Sequence, residues 1–134
     1  MSKSSRDPST RIQLTDTSLD ISRKIRGAVT DSIRGITYDP VNRPGTSNLL
    51  TIFSACTGEP VNTIVEKYEG KGHGELKKDV ADALEELMKG PRTEFERLRK
   101  ATDYLSTVAN EGVRKAKERS SKTLQEVRTL VGLC

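Results

Sequence analysis

A chain of 134 residues can hold one compact domain or a piece of a larger protein; a two-domain enzyme does not fit in it. Its hydrophobic share is 33%, with two Phe, three Tyr and no Trp, so a core must come from Leu, Ile, Val and Ala, while 31% is charged for a net +4. One His and two Cys exclude a four-ligand zinc site and a disulfide framework, and no apolar stretch nears the roughly 18 residues of a membrane span, so a reduced, water-soluble, intracellular chain with no protein-bound metal and no membrane is expected.

In chain order, the first 14 residues are polar and irregular, with Pro8 against a helix and the alternation Arg11-Ile12-Gln13-Leu14 suggesting a brief strand. Thr17 and Asp20 have the spacing of a capping box, and Ile21, Ile25, Ala28 and Val29 follow at helical intervals, predicting a helix from about Leu19 to Ile33 that Gly35 ends. Residues 38–46 hold Asp39-Pro40, Asn42 and Pro44-Gly45, the chemistry of an ordered loop. Ser47-Asn48 can cap a second helix, apolar nearly all round at Leu49, Leu50, Ile52, Phe53, Ala55 and Cys56, which should be buried. Gly58 closes it, and Pro60 suits the first turn of a third helix with the stripe Val61, Ile64, Val65 and Tyr68.

Gly70, Gly72 and Gly74 then break the chain. Leu76, Val80, Ala83, Leu84, Leu87 and Met88 predict a fourth helix ending at Gly90, and Pro91 restarts a fifth with Phe95 and Leu98. Two more helices complete the set, the first capped by Thr102 and the second by Asn110. The expected fold is all-α, a helical bundle preceded by an irregular segment, without a repeat of fixed period.

Charge is uneven along this chain. Residues 1–30 carry six basic and three acidic groups, residues 31–90 seven and ten, and residues 91–134 ten and six. Two basic ends around an acidic middle fit contact with phosphates, and equally the solvated faces of ordinary helices. Nucleophilic catalysis through an imidazole would have to pass through His73, which stands between two glycines and reads as an exposed or backbone-bonded side chain. The run Gly70-Lys71-Gly72-His73-Gly74 has unhindered amides before a helix but lacks the Walker spacing and follows a helix, so it reads as a helix-helix turn. Glu85-Glu86 fall on the outward face of the fourth helix and read as surface charge.

Met1-Ser2-Lys3-Ser4 resembles the last four letters of the KMSKS loop of class I aminoacyl-tRNA synthetases, whose lysines meet the phosphates of ATP. A tail or an organellar presequence are the plain alternatives for so short a stretch, although Asp7, Asp16 and Asp20 count against the second. Further stretches extend the resemblance: Arg11-Ile12 with Thr15-Asp16, Ala28-Val29-Thr30-Asp31-Ser32, Tyr38-Asp39-Pro40, and Arg43-Pro44-Gly45-Thr46-Ser47-Asn48-Leu49-Leu50. Beyond them come Lys67-Tyr68-Glu69-Gly70-Lys71-Gly72, Leu76-Lys77, Val80-Ala81-Asp82, Asp103-Tyr104-Leu105, Glu111-Gly112-Val113 and Lys115-Ala116. Together they resemble the C-terminal part of a tryptophanyl-tRNA synthetase of the bacterial and mitochondrial type, from Met1 to about Leu133. The first lysine of the loop motif is missing, His73 stands where Tyr is more usual, and neither the HIGH-type motif nor the nucleotide-binding sheet precedes the loop, so the chain resembles a fragment.

The resemblance implies joining of tryptophan to ATP, with magnesium accompanying the nucleotide, then transfer to tRNA(Trp). Met1, Ser2, Lys3 and Ser4 would bind ATP, with Lys3 catalytic through the charge it stabilises on the departing pyrophosphate. Residues 1–16 would form the KMSKS-type loop and its following segment, residues 17–46 the link to the nucleotide-binding fold, and residues 47–134 a helical tRNA-binding domain. Arg92, Arg97, Arg99, Lys100, Arg114, Lys115 and Lys117 are the candidate tRNA contacts, on charge. A homodimeric parent is implied, with the fragment alone monomeric, in the mitochondrial matrix or, alternatively, the bacterial cytoplasm. A noncatalytic helical RNA-binding or assembly module is the competing reading.

Overall fold

Thr17 starts the first regular helix by a reciprocal cap: its hydroxyl oxygen accepts from the Asp20 amide at 3.2 Å while the Asp20 carboxylate accepts from the Thr17 amide at 3.3 Å. In the computed structural model, which describes residues 7–133, this helix is α1 (Ser18–Gly27). It is followed by α2 (Pro44–Thr57), α3 (Val61–Lys67), α4 (His73–Lys100) and α5 (Thr102–Leu130). The fold class is all-α as expected, with five α-helices and no strand among the described residues. The chain divides into two units, Met1–Arg92 and Thr93–Cys134.

The first unit owns the core. Ile21 and Ile25 of α1, Ile36 of the following loop, Leu49 and Leu50 of α2, Ile64 of α3, Tyr68, and Leu76, Val80, Ala81 and Leu84 of α4 form one buried cluster. Each large aliphatic side chain removed from water here contributes about 1.5–3 kcal/mol. Gly45 sits where a Cβ would lie 2.2 Å from the Val29 carbonyl oxygen, so the chain after α1 passes against the first turn of α2 at a distance only glycine allows.

Several boundaries differ from expectation. The stretch at residues 11–14 is not a strand; a 3-10 turn at Pro8–Thr10, capped by the Asp7 carboxylate on the Ser9 amide at 2.8 Å, leads into turns and extended chain. Helix α1 stops at Gly27, six residues short of Ile33, because the chain turns extended at Ala28 and carries Asp31 to the side chain of Arg43. Gly35 therefore ends no helix; it lies in the loop with φ +79. Ser47 is no cap. Helix α2 begins at Pro44, whose missing N–H costs nothing at the first position, and the buried Ser47 hydroxyl accepts from the Asp39 amide at 2.9 Å, tethering the loop.

Helix α4 does not end at Gly90. It runs through Pro91, although glycine and proline inside a helix together disfavour it by about 4 kcal/mol relative to alanine. Arg92 donates to both oxygens of Glu85, at 2.9 and 3.0 Å, and so bridges two turns across the weak point.

The second unit holds the end of α4 and all of α5, none of whose residues is buried. Ala101 occupies the position before α5 and no side-chain cap forms, so Thr102 opens the helix without capping it. The break expected at Asn110 is absent. Arg114 and Lys115 both reach Glu111 across Gly112, at 2.8 and 3.4 Å, and such i,i+3 and i,i+4 pairs carry the helix over one poor helix former.

Candidate functional site

The segment that follows the KMSKS-like residues is fixed by Asp16. This buried carboxylate accepts the Gln13 amide at 2.8 Å and the Lys24 ammonium at 2.6 Å, both groups of the ion pair being about nine-tenths shielded. Ile12 packs partly onto the core. Met1, Ser2, Lys3 and Ser4 themselves lie outside the described residues.

Above this segment lies a cleft of about 820 Å³, lined by Pro8, Ile12, Ile25, Asn48, Leu49 and Ile52 among others. Its lining combines the apolar Ile25, Leu49 and Ile52 of α1 and α2 with the polar Lys24, Asp16 and Asp20.

The two stretches 28–32 and 43–50 meet through Arg43, whose side chain is 5% exposed. Its Nε and Nη2 donate to the two oxygens of Asp31 at 3.0 and 2.8 Å, and Nη1 donates to Thr37 Oγ1 at 2.6 Å. Nη2 also reaches the carbonyls of Ile33 and Gly35 at 3.1 and 2.9 Å. The guanidinium fork thus closes the loop between α1 and α2 onto the first turn of α2. Thr46 donates its hydroxyl to Asp31 at 2.7 Å. Held first by the Arg43 bond and then by Thr46, the Asp31 carboxyl is pushed far below the ordinary carboxylate range.

His73 joins this cluster. Its Nε2 lies 3.1 Å from Thr46 Oγ1 and 3.2 Å from Arg43 Nη2. Nε2 thus lies against both a hydroxyl and a guanidinium, inside the cluster that Asp31 organises. His73 is therefore neither exposed nor backbone-bonded, as the glycine run suggested; it is 19% exposed and held by side chains. The run behaves as a turn: Gly70 has φ +76, and the Gly72 amide donates to Glu75 at 3.0 Å as α4 begins. Before it, the buried Tyr68 hydroxyl donates to Asp79, and the Lys71 ammonium lies 4.8 Å from the Tyr68 ring centre. Burial, then the bond to Asp79, raises the Tyr68 hydroxyl above its ordinary value.

Of the seven basic residues proposed as tRNA contacts, five are in ion pairs along their own helix. Arg92 pairs with Glu85, Arg97 with Glu94, Arg99 with Glu96 at 3.9 Å, and Arg114 and Lys115 with Glu111. Glu85 is accordingly half-buried and engaged, a correction to its reading as free surface charge. Among the described residues, Lys100 and Lys117 are exposed and in no ion pair. A second group was not singled out from the sequence. Arg26, Lys77 and Lys78 line a cleft of about 220 Å³ between α1 and α4, with Ser22, Gly74 and Asp82. Lys77 donates to the Arg26 carbonyl at 3.3 Å, and neither Arg26 nor Lys78 is held by a carboxylate among the described residues.

Residues 1–89 match the model of the family described as tRNA synthetases class I (W and Y). The chain belongs to that family. It is 40% identical over 133 residues to a tryptophan–tRNA ligase of Enterococcus faecalis, covering 99% of this chain and 39% of the relative. The mitochondrial tryptophan–tRNA ligase of Saccharomyces cerevisiae is 39% identical over 134 residues, covering 98% of this chain and 35% of that protein. Among solved structures, the tryptophanyl-tRNA synthetase of Mycoplasma pneumoniae superposes with a TM-score of 0.61 at 31% identity, over 70% of this chain and 31% of that one. The chain thus spans about two-fifths of the length of the curated relatives it matches. The resemblance read from the sequence, to the C-terminal part of a tryptophanyl-type synthetase, is borne out, and relatives of both bacterial and mitochondrial origin carry it.

For a member of this synthetase family, what sequence reasoning missed is the partnership inside the quoted stretches. Asp31 and Arg43 were both named in them, twelve residues apart, and charge opposition was the available signal. Lys77 was likewise quoted, but its convergence with Arg26 depends on α1 lying beside α4, which no local spacing reveals.

Proposed function

We propose that this chain is the C-terminal portion of a tryptophan–tRNA ligase, which activates tryptophan with ATP and transfers it to tRNA(Trp). The observation that carries this reading is about 40% identity to tryptophan–tRNA ligases over 99% of the chain, through both units. Residues 1–16 then supply the KMSKS-type loop and its anchor, residues 17–46 the link to the nucleotide fold, and residues 47–134 the helical RNA-facing part. Lys3 binds the ATP phosphates and stabilises the charge that develops on pyrophosphate, with Met1, Ser2 and Ser4 shaping the loop. Asp16 and Lys24 fix the segment that follows that loop, and the apolar lining of the larger cleft is the surface on which the nucleotide fold of the complete enzyme packs.

Magnesium enters with ATP as part of that substrate, and no residue of this chain is assigned to it. The RNA contacts comprise the cationic cleft of Arg26, Lys77 and Lys78 in the first unit and, separately, Lys100 and Lys117 in the second. The arginines in exposed intrahelical pairs can exchange their carboxylates for phosphates, because such pairs are weak in water. The complete enzyme is a homodimer joined through its nucleotide-binding half. Its compartment is the mitochondrial matrix, on the resemblance of residues 6–12 to organellar members, with the bacterial cytoplasm as the alternative.

The test is aminoacylation of tRNA(Trp) by the chain as given and by the open reading frame extended upstream. Activity of the extended protein alone supports the reading. Tryptophan-dependent pyrophosphate exchange by the 134-residue chain would sink the assignment of an incomplete site, and inactivity of both proteins with retained RNA binding would favour a noncatalytic module. In the extended enzyme, Lys3→Ala should lower the activation rate far more than tryptophan affinity, as for a contact that strengthens in the transition state.

A further inference from the structure

We propose that Gly90-Pro91 is a hinge built into α4 and that the Glu85–Arg92 ion pair is its latch. Pro91 has no amide hydrogen to give the Leu87 carbonyl, and its ring crowds that same carbonyl. The residue before a proline is biased away from helical backbone, and here that residue is a glycine, the least constrained of all. Helical hydrogen bonding is therefore weakest at one place along the 28 residues of α4, and the division between the two units falls directly after it, at Arg92.

Glu85 and Arg92 span that place from both sides. Their seven-residue separation is close to two helical turns, which puts both on one face, and both guanidinium Nη atoms engage both carboxylate oxygens. The side chains are 27% and 19% exposed, against 55% and 63% for the neighbouring Glu94–Arg97 pair, so water and salt weaken the latch less. Closed, the pair keeps the helical hydrogen bonding of α4 continuous across Gly90-Pro91; open, that stretch is free to unwind.

Amide hydrogen exchange on the 134-residue chain, read peptide by peptide, tests this with Glu85→Gln, Pro91→Ala and the double variant. Glu85→Gln should speed exchange across residues 88–95 by about tenfold while residues 76–84 stay within about twofold of the parent. Once Pro91→Ala restores the missing bond, Glu85→Gln should change exchange at residues 88–95 by less than about threefold. Raising salt on the unsubstituted chain should speed exchange at residues 88–95 by much less than Glu85→Gln does, because the pair is partly shielded. The same acceleration with or without Pro91, no acceleration at all, or lost protection at residues 76–84 would each overturn the proposal, the last by showing that the pair supports the core and not the hinge.

Discussion

Helices α4 and α5 have almost the same length, 28 and 29 residues, and each carries an apolar stripe, yet the two stripes meet different fates. Leu76, Val80, Ala81 and Leu84 of α4 are buried in the first unit's core, whereas no residue of α5 is buried and Leu105, Val108, Val113, Leu124 and Val127 are exposed. The comparison teaches that periodicity supplies a face and does not by itself supply a partner. What holds α5 together within its own unit is propensity and ion pairs such as Glu111 with Arg114 and Lys115.

The widest contrast between the units should come from aliphatic truncation. Leu50→Ala, at a fully buried position, should cost about 2–5 kcal/mol in urea unfolding. Leu124→Ala, at a position 51% exposed, should stay within about 0.5 kcal/mol. Comparable losses at both would erase the distinction drawn here. Glycine exchange gives the next largest difference, and it has opposite signs. Gly45→Ala forces a Cβ against the Val29 carbonyl and should destabilise by about 1–3 kcal/mol. Gly112→Ala, with open space around it inside α5, should raise helix content and stabilise by up to about 1 kcal/mol, measured by circular dichroism and thermal melting.

Charge should sharpen the contrast through pH. The Asp31 carboxyl is held below its ordinary range by Arg43 and Thr46, so its contribution is present above the unfolded carboxylate value near 4 and is lost as pH falls through the lower folded value. Asp31→Asn should therefore lower the melting temperature by a constant amount from pH 7 to about pH 5, and the gap to the parent should close below about pH 4. A gap that widens on acidification would contradict the assignment. The smallest effect is expected from Glu111→Gln in α5, whose exposed pairs should leave the melting temperature nearly unchanged.

Much of the first unit could be read in advance. The Thr17–Asp20 spacing marks the start of α1, Ile21 and Ile25 form its core face as expected, and Leu76, Val80 and Leu84 of the α4 stripe are buried, whereas Leu87 of that stripe is exposed and Ala81, outside it, is buried. Local rules failed where a distant side chain overruled them. Ser47 looked like a cap and is a buried acceptor for the Asp39 amide; Ile33 looked helical and belongs to a loop drawn away by Asp31. Pro91 looked like a break and is spanned by an ion pair that no propensity scale contains; Asn110 looked like a cap and lies inside the continuous α5. Within the candidate site the family stretches were legible, but the meeting of Arg43, Asp31, Thr46 and His73 joins positions up to 42 residues apart and could not be read from any one of them.

The Arg43 cluster also sets an order of assembly. Joining Arg43 to Asp31 closes a loop of 12 residues, whereas seating Lys77 on the Arg26 carbonyl closes one of 51. The longer closure costs about 1.3 kcal/mol more in chain entropy, because the penalty rises with the logarithm of loop length. The Asp31–Arg43 loop should therefore close early on the nascent α2 and α3, and α1 should dock against α4 late, so that in refolding experiments substitutions at Ile21 speed unfolding while those at Leu50 slow folding.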